Sequence, residues 1–573
     1  MLRKLFSQAA IGLAALSVSC GAGAAFAQPA PSPVGDWHGT LRAGERQTRS
    51  AIHLEQKAPG ILGGDIDLPD TGQWDVPLEE VTFQDGLLAF SYRQGSRRFE
   101  GRWEPAAQAW VGKFQNAGGS FDVAYEAGFL GLPGLSGLEG FWEADASIQG
   151  YHRSFKLRVR TTAHGTYAMM DIPELVQTDL AVTSLARQED RISFAVPSLG
   201  IRFEGALAPH GRSIVGEFDA GGAAIPVSFV RNDRGPPRRT QTPAAPYPYT
   251  TEEVAIANAA SPGTTLACTL NVPRSAMAHP AAILITGSGQ QDRDEALVGH
   301  RPFLVLADHL ARHGIAVLRC DDRGVGGSRG DYVNATLEDF AGDATASLDY
   351  LRGRRDIASG KIGLIGHSEG AITASLAARR RPDLAFVVLL AGPGVPIDEL
   401  LMMQGEEVAR AQGLAEASIV QQRPLRRAIL AAMRDAPDPA TARKAVEALF
   451  IAQGAPPATA QAQAAREASP DILRIIKADP ADSLSGLRAP VLAILGSKDR
   501  QVPPQQNLPA LRRALGSHPD ATIRELPGLN HLFQTAETGG TSEYYSVEET
   551  IAPVALKTIT DWMRERGFGD QAR

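Results

Sequence analysis

Long apolar runs, surplus basic charge and clustered cysteines are all missing from this 573-residue sequence, and each absence removes a class of function. No segment beyond the amino terminus approaches the ~18 uninterrupted apolar residues of a membrane-spanning helix, so stable membrane insertion of the mature chain is not expected. The chain carries 57 Lys and Arg against 64 Asp and Glu. Nucleic acid or an anionic membrane surface would require a basic patch, so neither is expected as a partner. Only three cysteines occur, and no His/Cys cluster has zinc-ligand spacing. No metal and no cofactor is expected, and nothing in the sequence sets an oligomeric state.

The amino terminus reads as a secretory leader, residues 1–27. Arg3 and Lys4 supply its positive start, Ala9 to Val18 its short apolar stretch, and Ala25-Phe26-Ala27 a small-x-small cleavage site before Gln28. A periplasmic or secreted location is the expectation, and Cys20 would leave with the leader. Cys268 and Cys320 would remain. At 573 residues the chain exceeds one ordinary core, which predicts two or three domains.

Residues 28–232 contain a duplication. Gly35-Asp36-Trp37 recurs as Gly140-Phe141-Trp142, Arg98-Phe99-Glu100-Gly101 as Arg202-Phe203-Glu204-Gly205, and Val111-Gly112-Lys113-Phe114 as Val215-Gly216-Glu217-Phe218. A constant offset defines an internal repeat, with copies at about 34–127 and 137–232. Short alternating runs between Gly, Asp and Asn have the rhythm of an antiparallel meander, so an all-β region of two small barrels or sandwiches is predicted. Trp37, Trp103, Trp110 and Trp142 fall beside turn glycines, where core packing is the expected role. A Pro-rich connector, 233–248, follows and should be extended.

From Tyr249 onward, residues 249–573, the pattern alternates. Strand runs at Ala281 to Thr286, Ile315 to Arg319, Ile362 to Ile365, Ala385 to Leu390 and Val491 to Leu495 are separated by helical stretches such as Phe303 to His313 and Leu337 to Leu351. That alternation predicts a mostly parallel sheet covered by helices on both faces. About 395–485 lacks strand signal and reads as a helical lid. Its opening Leu400-Leu401-Met402-Met403 is a flexible apolar set suited to an acyl or aromatic pocket, or to lid core.

Two stretches match G-x-S-x-G, Gly326 to Gly330 and Gly366 to Gly370. Ser328 lies in a loop with no helix behind it. Ser368 lies between a strand and a helix that opens at once, the context a nucleophile on a sharp turn requires. A serine hydroxyl needs a base to take its proton and a third group to orient that base. Downstream, Asp499 ends the strand Val491 to Leu495, and His531 follows the strand Ala521 to Leu526. Ser368, Asp499 and His531 are therefore predicted as a catalytic triad. The oxyanion donors expected are the amide of Glu369 and that of Ser288, with Gly289 in reserve. The charged run Asp292, Arg293, Asp294 and Glu295 has a cation in its midst, so an ion-pair network is expected there; Asp321, Asp322 and Arg323 read the same way.

Together, Ile285 to Glu295, Leu318 to Ser328, Gly366 to Gly370, Gly496 to Pro503 and Leu526 to Phe533 resemble the α/β-hydrolase superfamily. More narrowly they are similar to bacterial serine esterases near the S9 and S33 peptidase-like branches. The resemblance covers Tyr249 to the carboxyl terminus and implies the same triad, with a small-molecule ester as substrate. A peptide or amide substrate is the alternative, and a ligand-binding role for the β repeats is a third reading. Two departures from the family pattern stand out. Cys268 replaces an expected glycine, and Cys320 an expected tyrosine. The fold implied by the resemblance makes their strands neighbours, so a Cys268–Cys320 disulfide is the hypothesis, set against two buried thiols.

Overall fold

The computed structural model describes residues 30–43, 46–69, 73–92, 97–116, 119–128, 135, 137–148, 151–163, 165–220, 222–275 and 277–569. The predicted leader and its cleavage site lie outside these residues. Nine strands between Gly35 and Ala127 make one antiparallel sheet, and eight between Gly140 and Arg231 close into a barrel. The duplication extends to cross-strand register. Phe99 faces Phe114 and Gly101 faces Gly112 in the first copy, as Phe203 faces Phe218 and Gly205 faces Gly216 in the second.

The difference between the copies has a local cause. In the second, Gln177–Gln188 is one continuous strand that pairs with both neighbours. Its first-copy counterpart is split into Gln73–Pro77 and Glu79–Gln84, which form the two edges of the open sheet. Proline offers no N–H to a ladder. At this break the amide of Leu78 turns to the carbonyl of Gly64, 2.9 Å away.

The tryptophans pack as expected. Trp37, Trp110 and Trp142 are buried, and Trp37, Trp103 and Trp110 meet edge-on with centroids 5.3 to 5.9 Å apart. Edge-on contact suits the ring quadrupoles and adds to their area burial. The connector has no helix or strand over 233–248 but is fastened down: Arg239 donates to the carbonyls of Val298, Tyr545 and Val547, and Gln241 bonds Thr550 and Ile551.

The carboxyl-terminal domain is built on β1 (Tyr249–Ala257), β2 (Thr265–Pro273), β3 (His279–Ile285), β4 (Ala316–Cys320), β5 (Ile357–His367), β6 (Val387–Leu390), β7 (Val491–Gly496) and β8 (Ala521–Leu526). Their spatial order is β1-β2-β4-β3-β5-β6-β7-β8; β2 is antiparallel to both neighbours, and β4 through β8 run parallel. Side chains alternate between the two faces. Ala281 and Ile283 join the core beneath α2 (Leu337–Arg352) and α3 (Glu369–Arg380), while Ala282 and Leu284 join the core beneath α1 (Pro302–Arg312). Helix α2 starts at a reciprocal cap, with Thr336 Oγ1 accepting from the Asp339 amide and the Asp339 carboxylate accepting from the Thr336 amide. Such a box satisfies two amides that the helix start leaves unpaired.

Between β6 and β7 lies the helical lid: α4 (Ile397–Ala411), α5 (Glu416–Asp435), α6 (Pro439–Ala452), α7 (Pro457–Glu467), α8 (Pro470–Ile475) and α9 (Pro480–Leu484). After β7 come α10 (Pro504–Ala514), α11 (Glu543–Ser546) and α12 (Pro553–Glu565). Cys268 on β2 directly faces Cys320 on β4, and the two are disulfide-bonded.

The second barrel rests on this domain. Phe141 packs with Val298, Leu532, Tyr544 and Tyr545. Asp171 accepts from the Tyr545 hydroxyl at 3.1 Å, and Gln412, at the end of α4, donates to the carbonyl of Glu174.

Candidate active site

The turn between β5 and α3 carries Ser368 at φ 54° and ψ −118°, a backbone state that costs energy for any residue with a side chain. It persists because the surroundings hold it. The Ser368 amide donates to Leu390 at 2.8 Å, and a Cβ on Gly366 or Gly370 would collide with backbone, at 2.1 Å from the Gly370 carbonyl or 2.3 Å from that of Ile285. Glycine at both positions lets the turn close on β3. Ser368 itself stays half-exposed while its neighbours are buried. Ser328, by contrast, is buried, accepts from the Ala267 amide and donates to the Asp321 carbonyl. It is a strut of the loop after β4.

Asp499 and His531 come together from the loops that follow β7 and β8. Asp499 Oδ2 lies 2.8 Å from His531 Nδ1, and Asp499 Oδ1 accepts from the amides of Gln501 and Val502, each at 2.8 Å. Both residues are buried. An acceptor held this way is well placed to fix an imidazole tautomer. The base loop is closed by Asn530, whose side-chain oxygen accepts from the amides of Leu532 and Gln534 while its Nδ2 donates to Gln534. His531 reaches the elbow through His367: the two imidazoles lie 4.8 Å apart.

The loop expected to supply oxyanion donors follows β3. A Cβ on Gly287 would stand 3.4 Å from the Ser368 Cβ, so this loop lies against Ser368. The Gly287 amide is committed to Glu295 at 2.7 Å. Those of Ser288 and Glu369 donate to no described residue. Ser288 is exposed, and Gly289 turns through φ 92°.

The charged run behind this loop is an ion-pair network. Arg293 bridges Asp321 and Glu253 at 2.6 to 3.0 Å, Asp294 pairs with Arg319, and Glu295 with His367. Arg323 grips Asp343, and Asp322 is held by the Thr286 hydroxyl and the Gln291 amide. Burial pushes Asp322 above its usual value. For Asp321 burial acts the same way, but Arg293 outweighs it and holds the carboxyl low.

A cavity of about 60 Å³ opens beside the elbow, between the ends of β3 and β4 and helices α2 and α3, under Arg474 of α8. Glu369 lines it with one carboxyl oxygen 3.6 Å from Arg474; the other has no partner among the described residues. Burial pushes this carboxyl up to about 7, against the pull of Arg474. Leu400 and Leu401 do not line the cavity. They are buried in the core with Met402 packed against it, which fits the lid-core alternative for these residues.

Glu295, His367 and Asn530 were not singled out as site residues in the sequence. His367 sits inside the G-x-S-x-G motif and Asn530 directly precedes His531, so position alone could have drawn attention to both.

Sheet order, elbow and lid give the carboxyl-terminal domain the α/β-hydrolase fold. Residues 301–537 match the family described as serine aminopeptidase, S33. Esterase EstD of Thermotoga maritima is 26% identical over 296 residues, 51% of this chain, which spans 64% of that relative's length. Among solved structures, Est1E from Butyrivibrio proteoclasticus with bound ferulic acid is 16% identical, covering 55% of this chain and 98% of its own, with a TM-score of 0.34. The Pyrococcus furiosus esterase Pf2001 is 15% identical, covering 58% and 99%, with a TM-score of 0.34.

Proposed function

We propose that this protein is a serine hydrolase that cleaves carboxylic esters through an acyl-enzyme intermediate. The observation that carries the reading is the strained Ser368 turn beside a buried His531–Asp499 pair bonded at 2.8 Å. His531 donates from Nδ1 to Asp499, which leaves Nε2 to take the proton from Ser368 as its oxygen attacks the ester carbonyl. The Glu369 and Ser288 amides receive the oxyanion. The protonated His531 then returns its proton to the departing alcohol, and water, deprotonated by the same base, releases the acid. The similarity to a protein named as an esterase supports an ester substrate. The leader read in residues 1–27, with the disulfide, supports a periplasmic or secreted site of action, because oxidising compartments preserve such bonds.

The match to a family described as serine aminopeptidase favours peptide or amide cleavage on the same triad as a second reading. Nitrophenyl acyl esters and aminoacyl anilides, offered to the wild type and to Ser368→Ala, separate the two. Ester turnover that is lost in Ser368→Ala, with little anilide cleavage, is the expected result. Predominant anilide cleavage would move the assignment to a peptidase. Full activity in Ser368→Ala would remove Ser368 as nucleophile.

A further inference from the structure

We infer that Glu295 and His367 form a positioning pair that locks the oxyanion loop and the base loop to the elbow; the inference rests on the hydrolase reading above. One carboxylate oxygen, Glu295 Oε1, accepts from the Gly287 amide at 2.7 Å and lies 2.9 Å from His367 Nδ1. The other ring nitrogen of His367 lies 3.1 Å from the backbone carbonyl of His531. A carbonyl can only accept, so Nε2 carries a proton. Nδ1 faces Glu295 Oε1, and against a carboxylate there it donates as well, which pairs a buried imidazolium with the carboxylate. Burial opposes that charge, but the Glu295 carboxylate and the two hydrogen bonds outweigh it and hold the imidazole above its ordinary value.

The geometry makes the pair a hub. From Glu295 it reaches the loop proposed to supply oxyanion donors, holding Gly287 in place immediately before Ser288 and Gly289. From His367 it reaches the main chain of the base and lies 4.8 Å from the base's ring. His367 is also the residue before Ser368, on the strained turn. Both side chains are more than nine-tenths buried, so water does not compete for these bonds. Glu295 itself sits at φ 51°, in the left-handed region that side chains adopt only when surroundings compel it. Acyl transfer requires nucleophile, base and donors to be aligned together, and small misplacements cost rate steeply. Neither Glu295 nor His367 reaches the reacting atoms through any of these contacts. Their part is alignment.

The test uses full-length His367→Gln, Glu295→Gln and the double variant, with fold checked by circular dichroism. Two readouts are taken: kcat and KM on a nitrophenyl ester, and the rate of covalent labelling by a fluorophosphonate. Each single variant is expected to lose about 10- to 100-fold in kcat, with KM within about twofold and labelling slowed in parallel. The double variant is expected to be no worse than the poorer single, because both changes dismantle one unit. Folded single variants that keep kcat and labelling within about threefold of wild type would overturn the inference. So would additive losses in the double variant. If only one single variant folds, its kcat decides; failure of both to fold would make the pair a folding requirement and overturn it as a positioning device. Absence of wild-type labelling at Ser368, judged against Ser368→Ala, would instead fail the parent reading.

Discussion

Replacing Glu369 with Gln should stabilise the catalytic domain at alkaline pH and leave it nearly unchanged in acid. Gln keeps the shape and removes a charge that the site holds at a cost. Burial pushes the Glu369 carboxyl from its usual 4.5 to about 7, while Arg474 opposes the rise. Between those two values the folded chain keeps a proton that the unfolded chain has lost, so wild-type stability falls as pH rises through the window and levels off above it. At about 1.4 kcal/mol per pH unit, the cost is roughly 3 kcal/mol between pH 4.5 and 8.5. Arg474 does not become an orphan in the variant, because Tyr332 and Asp471 still engage it. Every described α-helix falls within 302–565, so far-UV dichroism at 222 nm during urea titration reports on this domain, whereas five of the six tryptophans lie in the β half. Wild type and variant should diverge by roughly 3 kcal/mol from pH 4.5 to 8.5. Identical pH dependence in the two proteins would refute the assignment of a buried carboxyl raised to about 7 next to Ser368.

The disulfide and the elbow yield two further tests. Cys268 and Cys320 are separated by 52 residues, and opening that loop in Cys268→Ser/Cys320→Ser should cost about 4 kcal/mol in the same urea titration. Reductant added to wild type should reproduce that loss. Gly370→Ala forces a Cβ to within 2.3 Å of the Ile285 carbonyl, so the elbow must shift. An overpacking cost of about 1–3 kcal/mol and a fall of about 100-fold in kcat are expected, read by thermal unfolding and ester turnover.

The expected order Ser368, Asp499, His531 was legible because each residue ends or follows a strand with a clear apolar run, and the sheet brings those strand ends side by side. The disulfide was reached through the neighbouring positions of β2 and β4, and the duplication through repeated glycines and aromatics that turn out to face each other across strands. What stayed hidden depends on contacts distant in sequence. Glu295 looked like one more member of a charged run, and its distinction from Asp292 or Asp294 lies in meeting His367, 72 residues away. The cavity beside the elbow was missed for a similar reason. Its polar lining is gathered from the loops after β3 and β4 and from α2, α3 and α8, while Leu400 and Leu401 of the conspicuous apolar run are buried in the core. The first β unit breaks its strand at Pro77, where the second copy has Ala181 in a continuous strand.

The contact of Phe141 with Leu532 has a consequence for how this molecule can be divided. Leu532 is the residue after His531, so one wall of the base loop belongs to the β half. A hydrolase released by cutting the connector would expose that apolar seam, with Tyr544 and Tyr545, to water. His531 would then stand on a loop braced from one side only. The two halves therefore share one apolar seam, and a carboxyl-terminal domain expressed without the β barrel is expected to lose stability relative to the full chain.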